Sequence, residues 1–84
     1  MMVVVKQEHI EAGIRNSPNS CPIARAVREC LGIDGGVVVS EYAIHISNEK
    51  TTKRYDVPAV VRSFIKRFDV GEYVEPLEFE LRSK

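Results

Sequence analysis

The chain has 84 residues, 44% of them hydrophobic, with 12 basic and 12 acidic side chains. That length supports one hydrophobic core and so a single domain over 1–84, with no room for a second. A formal net charge of zero points to neither a globally basic nucleic-acid binder nor a globally acidic mimic, so any electrostatic function must come from local segregation of charge.

Met2 to Lys6 reads as a short strand, because three consecutive valines favour a pleated, buried setting. Gln7 to Arg15 reads as a short helix, with Ile10 and Ile14 four apart on one face. His9, on this helix, is expected at the surface or at an edge. Asn16-Ser17-Pro18-Asn19-Ser20 consists entirely of turn formers. A second helix follows, capped by Ser20 and with Pro22 in its first turn, where no backbone donor is missed. Ile23, Val27, Cys30 and Leu31 make its apolar stripe, and Gly32 its stop.

Asp34-Gly35-Gly36 is a turn. Val37 to Ser47 contains no Gly, Pro, Asn or Asp and reads as one long strand with a bulge allowed. Val38, Tyr42, Ile44 and Ile46 share a parity that Ser40 breaks. Asn48-Glu49-Lys50 is a polar hairpin tip, and Thr51 to Val57 returns as a strand. Pro58 opens a third helix whose stripe is Val60, Val61, Phe64, Ile65 and Phe68, with Gly71 ending it. Pro76 to Arg82 is the last strand. There Leu77, Phe79 and Leu81 alternate with Glu78, Glu80 and Arg82, which predicts one face in the core and one in water.

The order β-α-α-β-β-α-β predicts an α+β two-layer sandwich: a mainly antiparallel sheet of about four strands with three helices on one face. The other sheet face would be open and polar, carrying Glu78, Glu80 and Arg82 of the last strand, His45 and Ser47 of the long one, and Lys53 or Arg54 of its partner. The longest apolar runs, Val3 to Val5 and Val37 to Val39, fall far short of the roughly 20 residues that span a bilayer. The N-terminal order, apolar before polar, is not that of a secretory signal. A cytoplasmic protein with no membrane partner is expected.

Few residues suggest chemistry. Cys21 and Cys30 are nine apart and His9 and His45 are scattered, which is not zinc-ligand spacing, and cytosolic thiols stay reduced. Cys21 sits where a helix N-terminus favours a thiolate, but a small packed thiol explains it equally well. Gly35-Gly36 precedes a strand rather than a helix, so no phosphate loop is present. Glu78 and Glu80 share a strand face about 7 Å apart, a spacing that solvated edge charges explain without catalysis. No catalytic set, metal, cofactor or small-molecule substrate is expected, and the chain is read as non-enzymatic.

Charge is where the sequence is informative. From Lys50 to Arg67 stand six bases (Lys50, Lys53, Arg54, Arg62, Lys66, Arg67) against Asp56 alone. From Asp69 to Glu80 stand five acids (Asp69, Glu72, Glu75, Glu78, Glu80) and no base. The basic block could contact phosphates, as in a small nucleic-acid-binding accessory protein, although aromatic partners for bases are scarce. The acidic block, with Glu41 as a candidate neighbour, could fill a basic groove on a partner.

The segments HIEAGIRNSPNSCPIARAVRE and YDVPAVVRSFIKRFDVGEYVEPLEFEL resemble small proteins carried by bacteriophages and prophages, over nearly the whole chain. The residues carrying the resemblance are His9-Ile10, Gly13, Cys21-Pro22-Ile23-Ala24, Val57-Pro58, Phe64-Ile65, Phe68-Asp69, Gly71, Pro76 and Phe79-Glu80-Leu81. Most of these have structural roles as caps, turns or core. The resemblance implies an inhibitor of a bacterial defence complex, such as an anti-CRISPR protein acting on a CRISPR-Cas subunit, with the acids of 69–80 as a DNA mimic. Zero net charge departs from a strongly acidic mimic and leaves mimicry by one face, or steric inhibition.

Overall fold

A computed structural model of the protein describes residues 1–82. The elements run β1 (Met2–Val5), α1 (Gln7–Ala12), α2 (Pro22–Leu31), β2 (Val37–Val39), β3 (Ala43–Ser47), β4 (Thr52–Asp56), α3 (Ala59–Asp69) and β5 (Leu77–Glu80). The α+β class and the three helices are as expected. The sheet is not the single four-stranded one expected: β1 and β5 pair as a two-stranded antiparallel ribbon, and β2-β3-β4 form a separate three-stranded antiparallel sheet. The two meet at one end, where the Asp56 N–H donates to the Arg82 carbonyl at 3.3 Å.

The extra strand comes from a turn inside the expected run Val37 to Ser47. The Ser40 N–H donates to the Ala43 carbonyl at 2.8 Å, and the Ala43 N–H donates back to Ser40 Oγ at 3.3 Å. A serine hydroxyl that bonds the backbone locally competes with the sheet ladder. The chain therefore reverses through Ser40–Tyr42, and Val37, Val38 and Val39 pair with Ile46, His45 and Ile44. The parity break at Ser40 is the sequence trace of this turn. At the other hairpin the tip is as predicted: Asn48 Oδ1 accepts from the N–H groups of Lys50 and Thr51.

Helix α1 ends at Ala12, earlier than the predicted Arg15. Gly13 turns out of the helix against the Pro22 ring, so closely that a Cβ at Gly13 would lie 2.5 Å from Pro22 Cδ. Ile14 is consequently exposed rather than sharing a face with Ile10. In α2 the cap is Cys21, not Ser20: Cys21 Sγ accepts from the Ala24 N–H at 3.4 Å, with Pro22 next in the first turn. Gly32 closes the helix in the left-handed conformation, φ 68°.

Helix α2 packs against both β1 and β2, so its buried Ile23, Ala24, Ala26 and Val27 join the two sheets into one core. Helix α3 adds Val61, Phe64 and Phe68, the two rings stacked with centroids 6.3 Å apart, while Val60 at the edge of its stripe stays exposed. Val3 and Val5 on β1 are fully buried; each such side chain contributes about 1.5–3 kcal/mol relative to exposure. On β5 the alternation is as read: Phe79 and then Leu81 are buried, while Glu78 and Glu80 point outward. No helix among the described residues is long and apolar enough to cross a membrane.

Candidate functional site

The basic residues on α3 face other parts of the chain. Arg62 Nη1 donates to the Val57 carbonyl at 2.8 Å, and its guanidinium lies 5.6 Å from the centre of the Tyr42 ring. Lys66 Nζ is 2.9 Å from Glu41 Oε1, which holds the Glu41 carboxyl below, and the Lys66 ammonium above, their ordinary pKa values. Arg67 Nε lies 3.7 Å from Glu72 Oε1. The unanticipated turn at Ser40–Tyr42 makes this possible, because it delivers Glu41 and Tyr42 to the polar side of α3. Glu41 thus joins the basic block rather than the acidic one. Lys50, Lys53 and Arg54 sit on the hairpin, exposed and without an ion pair among the described residues. Lys53 pairs with Ile46 and Arg54 with His45, so the two side chains point to opposite faces of the sheet. The six bases do not form one continuous patch.

The acids divide differently. Asp69 is drawn into the fold, its Oδ1 accepting from the Asn16 N–H at 2.9 Å and its carbonyl from Asn16 Nδ2 at 3.4 Å. Glu80 lies 3.8 Å from Arg82. Glu75 and Glu78 are exposed and have no ion pair among the described residues. On the outer face of the ribbon Glu78 stands opposite Val4 and Glu80 opposite Met2, and both apolar partners are about half exposed. A row of carboxylates beside a row of apolar side chains covers this face.

Two grooves border that strip. One, of about 670 Å³, runs between α3 and the segment 72–77 and is lined by Val60, Phe64, Arg67, Tyr73, Glu75 and Leu77 among others. The second, of about 430 Å³, is lined by Val4, Lys6, Gln7, Pro76, Leu77 and Glu78. Tyr73 is 76% exposed. Val60, expected in the core stripe of the third helix, is 57% exposed, and Tyr73 had no expected role; nothing in the residue pattern distinguishes an exposed valine at the rim of a stripe from a buried one within it.

Cys21 lines a small cavity of about 300 Å³ with Ser17, Lys66 and Asp69, and neither histidine lines it. Burial pushes the thiol pKa up, and the Asp69 charge adds to that. Here desolvation outweighs the helix N-terminus, so the thiol is held protonated and packed, with no histidine lining its cavity.

His9, expected at the surface, is 6% exposed. The Lys6 N–H donates to His9 Nδ1 at 2.9 Å, so His9 reaches back to cap α1 as a capping-box residue does. Its Nε2 is buried, 3.3 Å from Glu29 Oε2 and outside hydrogen-bonding geometry. Glu8, His9 and Glu29 bring ligand-type atoms within 4.8 Å of one another. The tautomer argues against a metal there. An imidazole that accepts at Nδ1 carries its proton on Nε2, whereas a ligating histidine donates from its second nitrogen. Lys6 Nζ also lies 3.1 Å from the same Glu29 oxygen, which lowers the Glu29 pKa and raises that of Lys6. The cluster is a cap with its counter-ions.

Comparison of the chain with protein families, curated proteins and solved structures finds no match in any of the three.

Proposed function

We propose that the protein is a non-enzymatic binding protein, and that its docking surface is the acidic strip of 72–80 with the apolar side chains beside it. The observation carrying this is the outer face of the ribbon, where Glu78 and Glu80 stand opposite exposed Val4 and Met2. Exposed apolar area beside Glu78, which has no ion pair among the described residues, suits a partner that presents basic residues around an apolar centre. Asp69 is outside this surface, because its carboxylate is engaged with Asn16.

The resemblance to bacteriophage and prophage proteins makes the proposal more specific. In that form the protein works in the bacterial cytoplasm as an inhibitor of a defence complex. The strip occupies a basic groove, on a CRISPR-Cas subunit for example, that would otherwise hold DNA. The competing reading, nucleic-acid binding by 50–67, has less support, since Arg62, Lys66 and Arg67 already have partners within the chain and the unpaired Lys53 and Arg54 point to opposite faces of the sheet.

The test is capture from a nuclease-treated bacterial lysate containing an active defence system, using the natural protein beside a Glu75→Lys/Glu78→Lys/Glu80→Lys variant. The expected result is a defence subunit held by the natural protein and lost by the variant, with both showing the same circular dichroism. Equal capture by both removes the acidic strip from the mechanism. Capture of nucleic acid alone, abolished by nuclease or moderate salt, would favour the basic residues.

A further inference from the structure

The groove between α3 and the segment 72–77 is more than a border to the charged strip. Val60 on α3 is 57% exposed and Tyr73 76% exposed, both on the same groove. Beyond Pro76 and Leu77, which line both grooves, apolar surface continues to Val4 on β1. Carboxylates border this track throughout: Glu72 and Glu75 on the first groove, Glu78 on the second. Of the cations lining the grooves, Arg67 is paired with Glu72 and Lys6 with Glu29, which leaves Glu75 and Glu78 as the bordering carboxylates without an ion pair among the described residues.

Charge decides the occupant. A second copy docking by two-fold symmetry would bring together two copies of the same carboxylate-bordered patch, with like charge on both sides. A phosphate backbone meets the same repulsion. A polypeptide carrying an apolar side chain between cationic ones satisfies both the groove and its border. We propose that this groove anchors a partner segment in which an aromatic or aliphatic residue is flanked by lysine or arginine. The proposal rests on the acidic-strip reading and specifies where its affinity comes from.

The chain contains no tryptophan, so tryptophan emission reports on a peptide probe alone. The probe is a short glycine-serine peptide with one tryptophan flanked by lysines, compared with the same peptide carrying serine for tryptophan. Amide NMR shifts are followed in parallel. The lysine-tryptophan peptide is expected to shift Val60, Phe64, Tyr73 and Leu77. Val60→Ser and Tyr73→Ser, at exposed positions that leave the core intact, should each weaken it about tenfold, as removal of an anchor contact does. The serine peptide should bind more weakly and be indifferent to both substitutions.

If both peptides bind equally and ignore Val60→Ser while Glu75→Lys/Glu78→Lys still removes binding, the groove is not the anchor and the acidic strip stands. If neither peptide binds, the strip and the groove fail together. The same shifts appearing with rising protein concentration alone would make a second copy the occupant. The same shifts on addition of short duplex DNA would make it nucleic acid. Either result overturns the proposal.

Discussion

Helix α3 and the β1–β5 ribbon carry opposite charges, and they also use charge in different ways. On α3, Arg62 reaches the Val57 carbonyl and Tyr42, Lys66 reaches Glu41, and Arg67 reaches Glu72. On the ribbon and the segment leading to it, Glu75 and Glu78 have no ion pair among the described residues and stand beside exposed apolar side chains. Counting charges along the chain makes the two blocks look like equal candidates for recognition. Tracing each side chain to its partner divides both blocks: Arg62, Lys66 and Arg67 tie turns to a helix, and the unpaired Lys53 and Arg54 point to opposite sheet faces, whereas the unpaired Glu75 and Glu78 stand beside exposed apolar surface.

The sharpest way to break this comparison is Arg62→Ala. A part-buried hydrogen bond from a charged donor contributes about 1.5–3 kcal/mol, so the variant should lose stability on that scale in urea unfolding. It should leave binding to the lysine-tryptophan peptide unchanged. Arg62→Lys should recover only part of the loss, because an ammonium does not reproduce the stacking over Tyr42. An Arg62→Ala variant of native stability that failed to bind would reverse the roles assigned to the two regions.

Asp69→Ala is a smaller test, made within the acidic set itself. Loss of the bond from the Asn16 N–H should cost about 0.5–1.5 kcal/mol, with no effect on peptide binding, and Asp69→Asn should retain most of that stability because its amide oxygen can still accept. Weaker peptide binding in a stable Asp69→Ala would extend the docking surface beyond the strip.

The smallest effect is that of pH on the Glu41–Lys66 pair. The Glu41 pKa is lowered by the hydrogen bond from Lys66, so its contribution is full above the ordinary glutamate value and is lost as pH falls through the lowered one. The Lys66 pKa is raised, so its contribution is full below the ordinary lysine value and is lost as pH rises through the raised one. Both groups are solvated, so the slopes should be shallow and should fade in high salt. Glu41→Gln should flatten part of the acid-side slope in urea titrations across pH; Glu29, lowered in the same way by Lys6, accounts for a further part. An acid-side slope unchanged by Glu41→Gln would show that this ion pair contributes nothing to stability.

Helices α2 and α3 were legible because Pro22, Gly32, Pro58 and Gly71 punctuate apolar stripes of helical period, and β5 because its alternation is strict. The turn at Ser40 was not, since Ser40 is the single turn former in Ser-Glu-Tyr, without Gly, Pro, Asn or Asp beside it, and the cause is its hydroxyl bonding the local backbone. From that one miss followed the strand count and the placing of Glu41 with the acids; the division into two sheets is a matter of long-range pairing between β1 and β5. His9 was misplaced for a related reason: nothing in the local pattern shows that an imidazole turns inward to accept the Lys6 N–H. Of the candidate site, the outward direction of Glu78 and Glu80 could be read from parity. Which charges already have partners could not, because those pairs join residues distant in sequence.

The ribbon joins Met2 to Glu80, and the Leu81 N–H donates to the Met1 carbonyl at 2.7 Å. Its pairing closes a loop of more than seventy residues, a long-range contact whose closure entropy makes it slow to form. During synthesis β1 leaves the ribosome before β5 and has no ribbon partner until β5 emerges. Until then there is neither a row of carboxylates beside Met2 and Val4 nor the Phe79 and Leu81 that complete the core. The chain therefore acquires its proposed binding face and its full stability in the same step, and a nascent fragment ending before Leu77 has neither.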